Sequence, residues 1–146
     1  MKKLFSLFTI ALLSAALFSS CSKKGCVDQN ANNYCDKCKK DDGSCTYTGK
    51  MIIWWKKQVA DSLNAYGVNT IYVYADGALV GGYATNVYYN SQPNCDQSGT
   101  ITITKDLGKN KTKIISVEMK DASGNSFGVE SKTLTGNQCL SDEVTW

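Results

Sequence analysis

The feature that most limits how this chain can fold is a short, cysteine-rich segment near its beginning. Residues 25–47 contain almost no aliphatic side chains and four cysteines, Cys26, Cys35, Cys38 and Cys45. Such a segment cannot bury enough apolar surface to offset the conformational entropy that it loses on folding. Disulfides or a metal must therefore hold it. In an oxidising compartment the default is disulfides, and four cysteines allow three pairings.

The first twenty residues have the pattern of an export signal. Lys2 and Lys3 precede an apolar run from Leu4 to Phe18, and small residues follow. This order of charged, apolar and small-residue regions is typical of a secretory signal peptide. The run is shorter than the about 20 apolar residues that a membrane-spanning helix needs. We predict that residues 1–20 are a signal peptide and take no part in the fold.

Cys21 follows this signal directly, after Leu17-Phe18-Ser19-Ser20. The context resembles the lipobox of bacterial lipoproteins, in which the cysteine is acylated and becomes the mature N-terminus. The number of cysteines supports acylation of Cys21. Seven cysteines cannot all pair in disulfides, whereas acylation of Cys21 leaves six that can. Alternatively, an ordinary signal is cleaved near Ala16 and Cys21 joins a disulfide.

The lipobox resemblance implies a location as well as a modification. Residues 21–24 would be a lipidated N-terminus and tether. Each buried methylene of the acyl chains contributes about 0.8 kcal/mol, so two or three chains hold a protein on a membrane. The residue after the cysteine is Ser22 and not Asp. Under the common sorting rule for lipoproteins, this favours the bacterial outer membrane, on its periplasmic face or at the cell surface.

The cysteine-rich segment carries a recognisable pattern, GCVDQNANNY followed by DDGSCTY. It resembles a short motif, GC-x-D-x-x-A-x-N-Y and then DDGSC-x-Y, that recurs in exported Bacteroidota-type proteins as a small cystine-closed module without catalysis. The spacer differs from that motif, because it holds the extra pair Cys35 and Cys38. The resemblance implies that Cys26 and Cys45 close the module and leave Cys35 and Cys38 as a local pair.

Three other chemistries stay open for this segment. Four thiolates could hold zinc, although the spacing from Cys26 to Cys35 is wide and exported thiols tend to oxidise. Cys35 and Cys38 could be a redox pair, although the loop offers no strand and helix around them as thioredoxin-type motifs do. Calcium could bind oxygen ligands at alternate positions, although the EF-hand positions for Gly and Glu hold Asn33 and Lys39. Those oxygen ligands are Asp28, Asn30, Asn32 and Asp36. A solvated disulfide loop without a metal is the favoured interpretation.

The composition excludes several kinds of site. Without a histidine, the chain cannot hold a Ser-His-Asp or Cys-His triad, a His-ligated zinc or an imidazole base. Asp142 and Glu143 are adjacent and have the pattern of a solvated terminal stretch rather than a catalytic pair. The formal charge of +3 includes Lys2 and Lys3, so only 3 − 2 = +1 lies beyond residue 20, too little to bind a phosphate backbone. We therefore expect neither an enzyme nor a nucleic-acid-binding protein.

Residues 50–146 alternate apolar and polar side chains in short runs separated by polar turns. The runs cover residues 51–55, 70–75, 78–83, 100–105, 112–120 and 127–134. Asp76-Gly77 predicts a tight hairpin turn. Strands about ten residues apart indicate a small antiparallel β-sandwich rather than a βαβ fold. Val59, Leu63 and Tyr66 lie at helical spacing, which predicts a short helix or a long loop.

Cys95 and Cys139 are the two cysteines of this second domain. Joining them closes a loop of about 45 residues, for which chain entropy suggests on the order of 4 kcal/mol. The stretches IYVYADGALVGGY and PNCDQSGTITI, with the late cysteine in NQCL, resemble the small sandwich domains related to the PEGA group of bacterial envelope lipoproteins. That resemblance implies an all-β, Ig/PEGA-like accessory or interaction module.

The first half of this domain is rich in aromatic residues, for which two interpretations stay open. Aromatic faces stack on sugar rings, so these residues could form a carbohydrate platform. Alternatively, they simply fit half-buried strand surfaces. Neighbours in a strand point to opposite faces, so at most one of Trp54 and Trp55 is core, and the other is exposed or covered by a loop. The candidate ligand-binding aromatics are Trp54, Trp55, Tyr72, Tyr74, Tyr88 and Tyr89, in a stretch that also contains Tyr83.

Together these features predict a membrane-anchored envelope lipoprotein whose folded part is a non-enzymatic binding or structural accessory module. The leading alternative is a carbohydrate-binding lipoprotein that uses exposed aromatics. A third is a thiol redox or metal-binding protein acting through Cys35 and Cys38. The expected partners are the membrane, through N-terminal acyl chains, and an envelope protein or glycan. No cofactor is expected.

Overall fold

A computed structural model describes residues 22–145 of the chain. Its strands are β1 (Tyr47–Trp55), β2 (Thr70–Ala75), β3 (Ala78–Ala84), β4 (Ile101–Gly108), β5 (Thr112–Lys120), β6 (Ser126–Thr135) and β7 (Cys139–Val144). A helix, α1 (Lys57–Ala65), follows β1. The expected all-β architecture is confirmed. The signal peptide and the acylation site Cys21 lie outside the described residues.

The strands form two sheets, with the orders β4-β1-β7 and β3-β2-β5-β6. Pairing is antiparallel except between β1 and β7, which run parallel from the Lys50–Cys139 pair to the Trp55–Val144 pair. The interpretation of Asp142 and Glu143 as a solvated terminal stretch is wrong, because both residues belong to β7. There Asp142 lies 2.7 Å from Lys132 Nζ, and Glu143 lies 2.9 Å from Lys56 Nζ.

Alternation along the strands builds the core between the sheets. In β2, Ile71, Val73 and Ala75 are buried, whereas Tyr72 and Tyr74 on the other face are half-buried. Burying one such aliphatic side chain contributes about 1.5–3 kcal/mol. The fully buried core residues include Met51, Ile53, Ile71, Val73, Ile103, Ile115 and Leu134.

Helix α1 packs onto this core through Val59, Ala60 and Leu63, which lie on one face. The helix ends at Ala65, and Tyr66, at its C-cap, is 84% exposed. The chain after the helix is held by Thr85, which follows β3 and is 0% exposed. Its Oγ1 lies 2.8 Å from the Val68 carbonyl oxygen and 2.9 Å from Asn64 Oδ1. This hydroxyl therefore connects the end of α1 to the end of β3.

The part of the chain before β1, residues 22–46, is called the module below; it holds the described tether residues and the cysteine-rich segment up to Thr46, and it packs against the beginning of β1. Cys26, Ala31 and Cys45 are buried in the same cluster as Tyr47 and the sandwich core. Asn33 connects the two halves of the module, because its Nδ2 donates to the Ser44 carbonyl at 2.7 Å and its Oδ1 accepts from the Thr46 N–H at 2.9 Å. The module and the sandwich therefore share one core.

Three disulfides join the six cysteines of the described residues: Cys26–Cys45, Cys35–Cys38 and Cys95–Cys139. The zinc alternative needs thiolates that these bonds consume. The calcium alternative needs Asp28, but its Oδ2 lies 2.6 Å from Lys111 Nζ and accepts from the Tyr47 hydroxyl at 2.8 Å. Within residues 22–145, no group of three or more Cys, Asp or Glu is arranged to hold a metal ion. The same residues include no helix long and apolar enough to cross a membrane.

Candidate functional site

The structure divides the candidate aromatics among three places. Trp54, Trp55 and Tyr89 line a cleft at the edge of the sandwich where β3 faces β4. Tyr72 and Tyr74 lie on the outer face of the β3-β2-β5-β6 sheet. Tyr88 is exposed near α1, with its ring centroid 6.0 Å from Lys57 Nζ. The six residues therefore do not form a single platform.

The cleft at the β3/β4 edge, called the aromatic cleft below, has a volume of about 180 Å³. Its walls are apolar or aromatic side chains and the backbone of two glycines. They include Ile53, Trp55, Tyr83, Val87, Tyr89 and Ile101, with Gly82 and Gly99. The described lining contains no carboxylate, ammonium or thiol. An apolar pocket with a few polar groups is the usual form of a small-ligand site.

Neither tryptophan is available as an exposed ring, because Trp54 is 5% and Trp55 is 4% exposed. Trp55 faces the core, and its indole N–H donates to the Thr85 carbonyl at 3.3 Å. Trp54 points to the opposite face of β1, and its indole N–H donates to Ser141 Oγ at 3.0 Å. The assignment of these two residues to an exposed ligand platform is therefore wrong, and only parts of their surfaces reach the cleft.

A long loop, residues 85–100, covers the outer face of β1 on which Trp54 and Ile52 are buried. Lys50 lies on that same face and forms an ion pair with Asp96 of the loop. Cys95 is bonded to Cys139, the residue of β7 that pairs with Lys50. The Tyr89 N–H donates to the Trp55 carbonyl at 3.0 Å. These contacts fix one wall of the aromatic cleft against the sheet.

A β-bulge directs Tyr83 into the cleft. In β3, Leu79 pairs with Tyr74 but Gly81 pairs with Val73, so Val80 is an extra residue. Tyr83 consequently pairs with the inward-facing Ile71, whereas a regular hairpin from the same turn would direct it outward. Sequence reasoning did not assign Tyr83 to the site. The glycine pair after Val80 was the available signal, because glycines often mark bulges in strands.

Tyr83 and Tyr89 are the described lining residues that carry a hydroxyl, and a Cβ on Gly81 would lie 3.1 Å from the Tyr83 hydroxyl, so the Tyr83 ring lies along its own strand. Burial raises the pKa of Tyr83 and the pKa of Tyr89. Tyr89 donates to the Ser98 carbonyl at 3.4 Å. A Cβ on Gly99 would lie 3.1 Å from the Tyr89 hydroxyl, so the glycine leaves room for this ring. The described lining can therefore offer aromatic faces and hydroxyl hydrogen bonds.

The outer-face tyrosines are engaged by their neighbours in the sheet. A Cβ on Gly82 would lie 2.9 Å from Cε1 of Tyr72, so that ring lies against the glycine. Lys120 Nζ lies 5.0 Å from the ring centroid of Tyr74 and 3.1 Å from Glu118. Hydrogen bonds from Ser126 and Lys120 lower the pKa of Glu118. These contacts are cross-strand pairs of the kind that stabilise a sheet surface.

The opposite edge of the sandwich, between β6 and β7, has a second cleft of about 180 Å³ with a different character. Lys132 lies in it, 2.7 Å from Asp142 and 2.5 Å from Glu130. Burial alone would lower the pKa of Lys132, but its hydrogen bonds to the two carboxylates outweigh burial and raise it. The ammonium group in the lining of this cleft is therefore already paired with carboxylates of the same lining.

No protein-family model, curated protein or solved structure matches the chain. The resemblances to a cysteine module and to PEGA-related domains thus stay predictions from the sequence. A functional proposal has to be based on the geometry of the aromatic cleft and on the N-terminal sequence.

Proposed function

We propose that this chain is an outer-membrane lipoprotein whose folded part binds a ligand non-enzymatically in the aromatic cleft. The observation that carries the proposal is the cleft itself, in which a loop held by a disulfide leaves about 180 Å³ between aromatic and aliphatic walls. Its apolar and aromatic walls distinguish it from the equally large cleft between β6 and β7, whose lining includes Glu130, Lys132 and Asp142, and an apolar lining with few polar groups is typical of a ligand site.

The anchoring part of the proposal is supported by the sequence and by the disulfides. The charged and apolar pattern of residues 1–20, followed by Cys21, fits export and acylation. Three disulfides within residues 22–145 suit an oxidising compartment. With Cys21 acylated, every cysteine of the chain is accounted for.

The ligand class follows from the walls of the cleft. Rings such as Trp55, Tyr83 and Tyr89 contribute dispersion and π contacts to a flat or ring-shaped group. The absence of charged side chains from the described lining favours an uncharged group. The small volume favours a ring at the end of a larger molecule over an entire chain.

A carbohydrate is the second candidate ligand, and the hydroxyls of Tyr83 and Tyr89 favour it. A sugar ring presents an apolar face for stacking and hydroxyls that need hydrogen-bond partners, and this cleft has both. An aromatic or aliphatic ligand would leave the tyrosine hydroxyls without new partners. Dependence of binding on those hydroxyls therefore separates the two ligand classes.

Tryptophan fluorescence tests the cleft directly, because Trp54 and Trp55 both reach its lining. The purified protein is titrated with a panel of saccharides and of uncharged aromatic probes. We expect saturable quenching that Val87→Phe, which enlarges a side chain of the cleft wall without adding a tryptophan, weakens and that Tyr88→Phe, outside the cleft, leaves unchanged. Loss of binding in Tyr83→Phe would favour a saccharide. Saturable binding of full strength in Val87→Phe would contradict the assignment of the cleft.

The anchor is tested separately by mass spectrometry of the protein isolated from cell envelopes. An acylated Cys21 at the mature N-terminus is the expected result. An unmodified N-terminus would contradict the anchoring part of the proposal and leave the binding part intact.

A further inference from the structure

Five lysines of the module are exposed and are together called the lysine face below: Lys23, Lys24, Lys37, Lys39 and Lys40. Two backbone segments hold four of them side by side. The Gly25 N–H donates to the Lys40 carbonyl and the Lys39 N–H donates to the Lys23 carbonyl, both at 3.0 Å. Lys37 lies in the turn closed by the Cys35–Cys38 disulfide. The backbone and a disulfide therefore fix where these side chains begin.

No carboxylate within residues 22–145 neutralises the lysine face by an ion pair. Of the fourteen lysines in that range, seven form ion pairs and seven do not. All five lysines of the lysine face are among the seven without an ion pair. Asp41 and Asp42 of the module instead accept from the Gly43 and Ser44 N–H groups at 3.0 Å. Asp36, Asp41 and Asp42 keep their negative charges, but within residues 22–145 none of them forms an ion pair with these five ammonium groups.

The module that carries the lysine face packs at one end of β1, and the aromatic cleft lies at the other end of that strand. The module packs at Tyr47, where β1 begins, and the cleft includes Trp55, where β1 ends. At about 3.3 Å per residue, a nine-residue strand separates them by about 26 Å. In the sequence, Lys23 and Lys24 lie two and three residues after Cys21.

We propose that the lysine face binds the anionic phosphate headgroups of the membrane surface, so that the aromatic cleft faces away from the membrane. The proposal rests on the anchoring at Cys21 proposed above, which would keep the face next to the lipid. Unpaired ammonium groups can bind headgroup phosphates without breaking any ion pair of the fold. Each lysine near an anionic surface strengthens binding about fivefold, and acyl chains with a basic patch form the usual two-part membrane attachment.

The test uses the chain from Ser22 onward, which retains every strand, disulfide and core residue described and lacks the acylation site. Its sedimentation is measured with vesicles of phosphatidylcholine, with and without phosphatidylglycerol. We expect binding only to vesicles that contain phosphatidylglycerol, and weaker binding as added salt shortens the range of charge interactions. Equal binding to both kinds of vesicle, or none to either, would overturn the proposal.

Two pairs of substitutions locate the binding surface. Lys39→Gln with Lys40→Gln keeps the backbone pairing and should weaken binding on the order of tenfold or more. The matched control is Lys109→Gln with Lys113→Gln, because these are the other two described lysines without an ion pair. An equal loss in both variants would mean that only total charge matters and would contradict a specific face.

A third measurement separates headgroups from soluble phosphate. Inorganic phosphate added at the ionic strength of a chloride control should displace no more protein than chloride does. Selective displacement would assign the lysine face to a soluble anion instead. Because the vesicle assay needs neither acylation nor the cleft, its failure is distinct from failure of the mass spectrometry or of the fluorescence titration.

Discussion

The hydroxyl of Tyr47 donates a 2.8 Å hydrogen bond to Oδ2 of Asp28, and this bond joins the cysteine-rich module to the first strand of the sandwich. The same oxygen lies 2.6 Å from Nζ of Lys111, next to the beginning of β5. Oδ1 of Asp28 accepts from the Asn30 N–H at 3.0 Å. One carboxylate thus connects the module to two strands of the sandwich.

Replacing Tyr47 with Phe should lower the free energy of unfolding by about 1 kcal/mol, the usual net contribution of one hydrogen bond. The effect stays modest because Asp28 keeps Lys111 and Asn30 as partners. Urea denaturation measures it. Tyr66→Phe is the control, since that side chain is 84% exposed, and equal effects of the two substitutions would contradict the importance of the bond.

The same carboxylate should make stability depend on acid. The hydrogen bond from Lys111, with those from Asn30 and Tyr47, lowers the pKa of Asp28 from 3.8 to about 2. A depressed pKa in the folded state contributes stability above the unfolded pKa, and this contribution is lost as the pH falls towards about 2.

Asp28→Asn tests this pH dependence. We expect the variant to be less stable than the parent near neutral pH, with a difference that shrinks as the pH falls from about 4 to about 2. Urea unfolding of both proteins at several pH values measures this difference in stability. The other carboxylates are present in both proteins, so their contributions cancel in the comparison. A difference that is constant with pH would show that Asp28 does not titrate as described.

Gly136→Ala should destabilise the protein through a clash with Tyr47. A Cβ at this position would lie 2.5 Å from Cδ1 of the buried Tyr47 ring and 3.0 Å from its Cβ. Overpacking of this kind costs about 1–3 kcal/mol. In the double variant with Tyr47→Leu, the loss of unfolding free energy should be smaller than the sum of the two single losses, because the smaller side chain removes the clash. Strictly additive losses would exclude the clash as the cause.

The two disulfides whose cysteines are not fully buried should differ in their contributions. Cys95 and Cys139 are separated by 44 residues, and Cys35 and Cys38 by 3. Chain entropy gives about 4 kcal/mol for the long loop and about 2 kcal/mol or less for the short one. Paired Cys→Ser variants compared by urea unfolding should rank in that order. A larger loss for Cys35→Ser with Cys38→Ser would mean that the local bond holds the module against the core.

Thr85→Val should destabilise the protein although it preserves the shape of the side chain. The buried hydroxyl lies within 2.9 Å of two oxygens, on Val68 and Asn64, which valine cannot satisfy. Leaving buried polar groups unpaired costs about 1–3 kcal/mol. Thr104→Val on the exposed face of β4 is the control and should be close to neutral. Similar unfolding midpoints for the two variants would contradict the role given to Thr85.

Local rules were sufficient for the parts of the fold that depend on neighbouring residues. The predicted hairpin turn at Asp76-Gly77 is present. Its two residues have φ values of 53° and 77°, and the favoured two-residue hairpin turn needs positive φ at both positions. The alternation in β2 also correctly separated buried Ile71 and Val73 from Tyr72 and Tyr74. These features need no knowledge of distant contacts.

The aromatic cleft depends on long-range contacts that the alternation of apolar and polar residues does not report. Tyr83 faces inward because of one extra residue in β3, and a single bulge reverses the facing of every residue after it. Trp54 is buried because a loop joined to the sheet through Cys95 crosses above it. Asp142 and Glu143 of β7 have the sequence pattern of solvated residues. Their ion pairs with Lys132 and Lys56 are long-range contacts that this pattern does not report.

Strand β1 has hydrogen-bonded neighbours on both sides, with the module at its first residue and the cleft at its last. A pulling force applied between the two ends of β1 would therefore act along this strand. Its bonds to β4 and β7 would be sheared together instead of opening one after another.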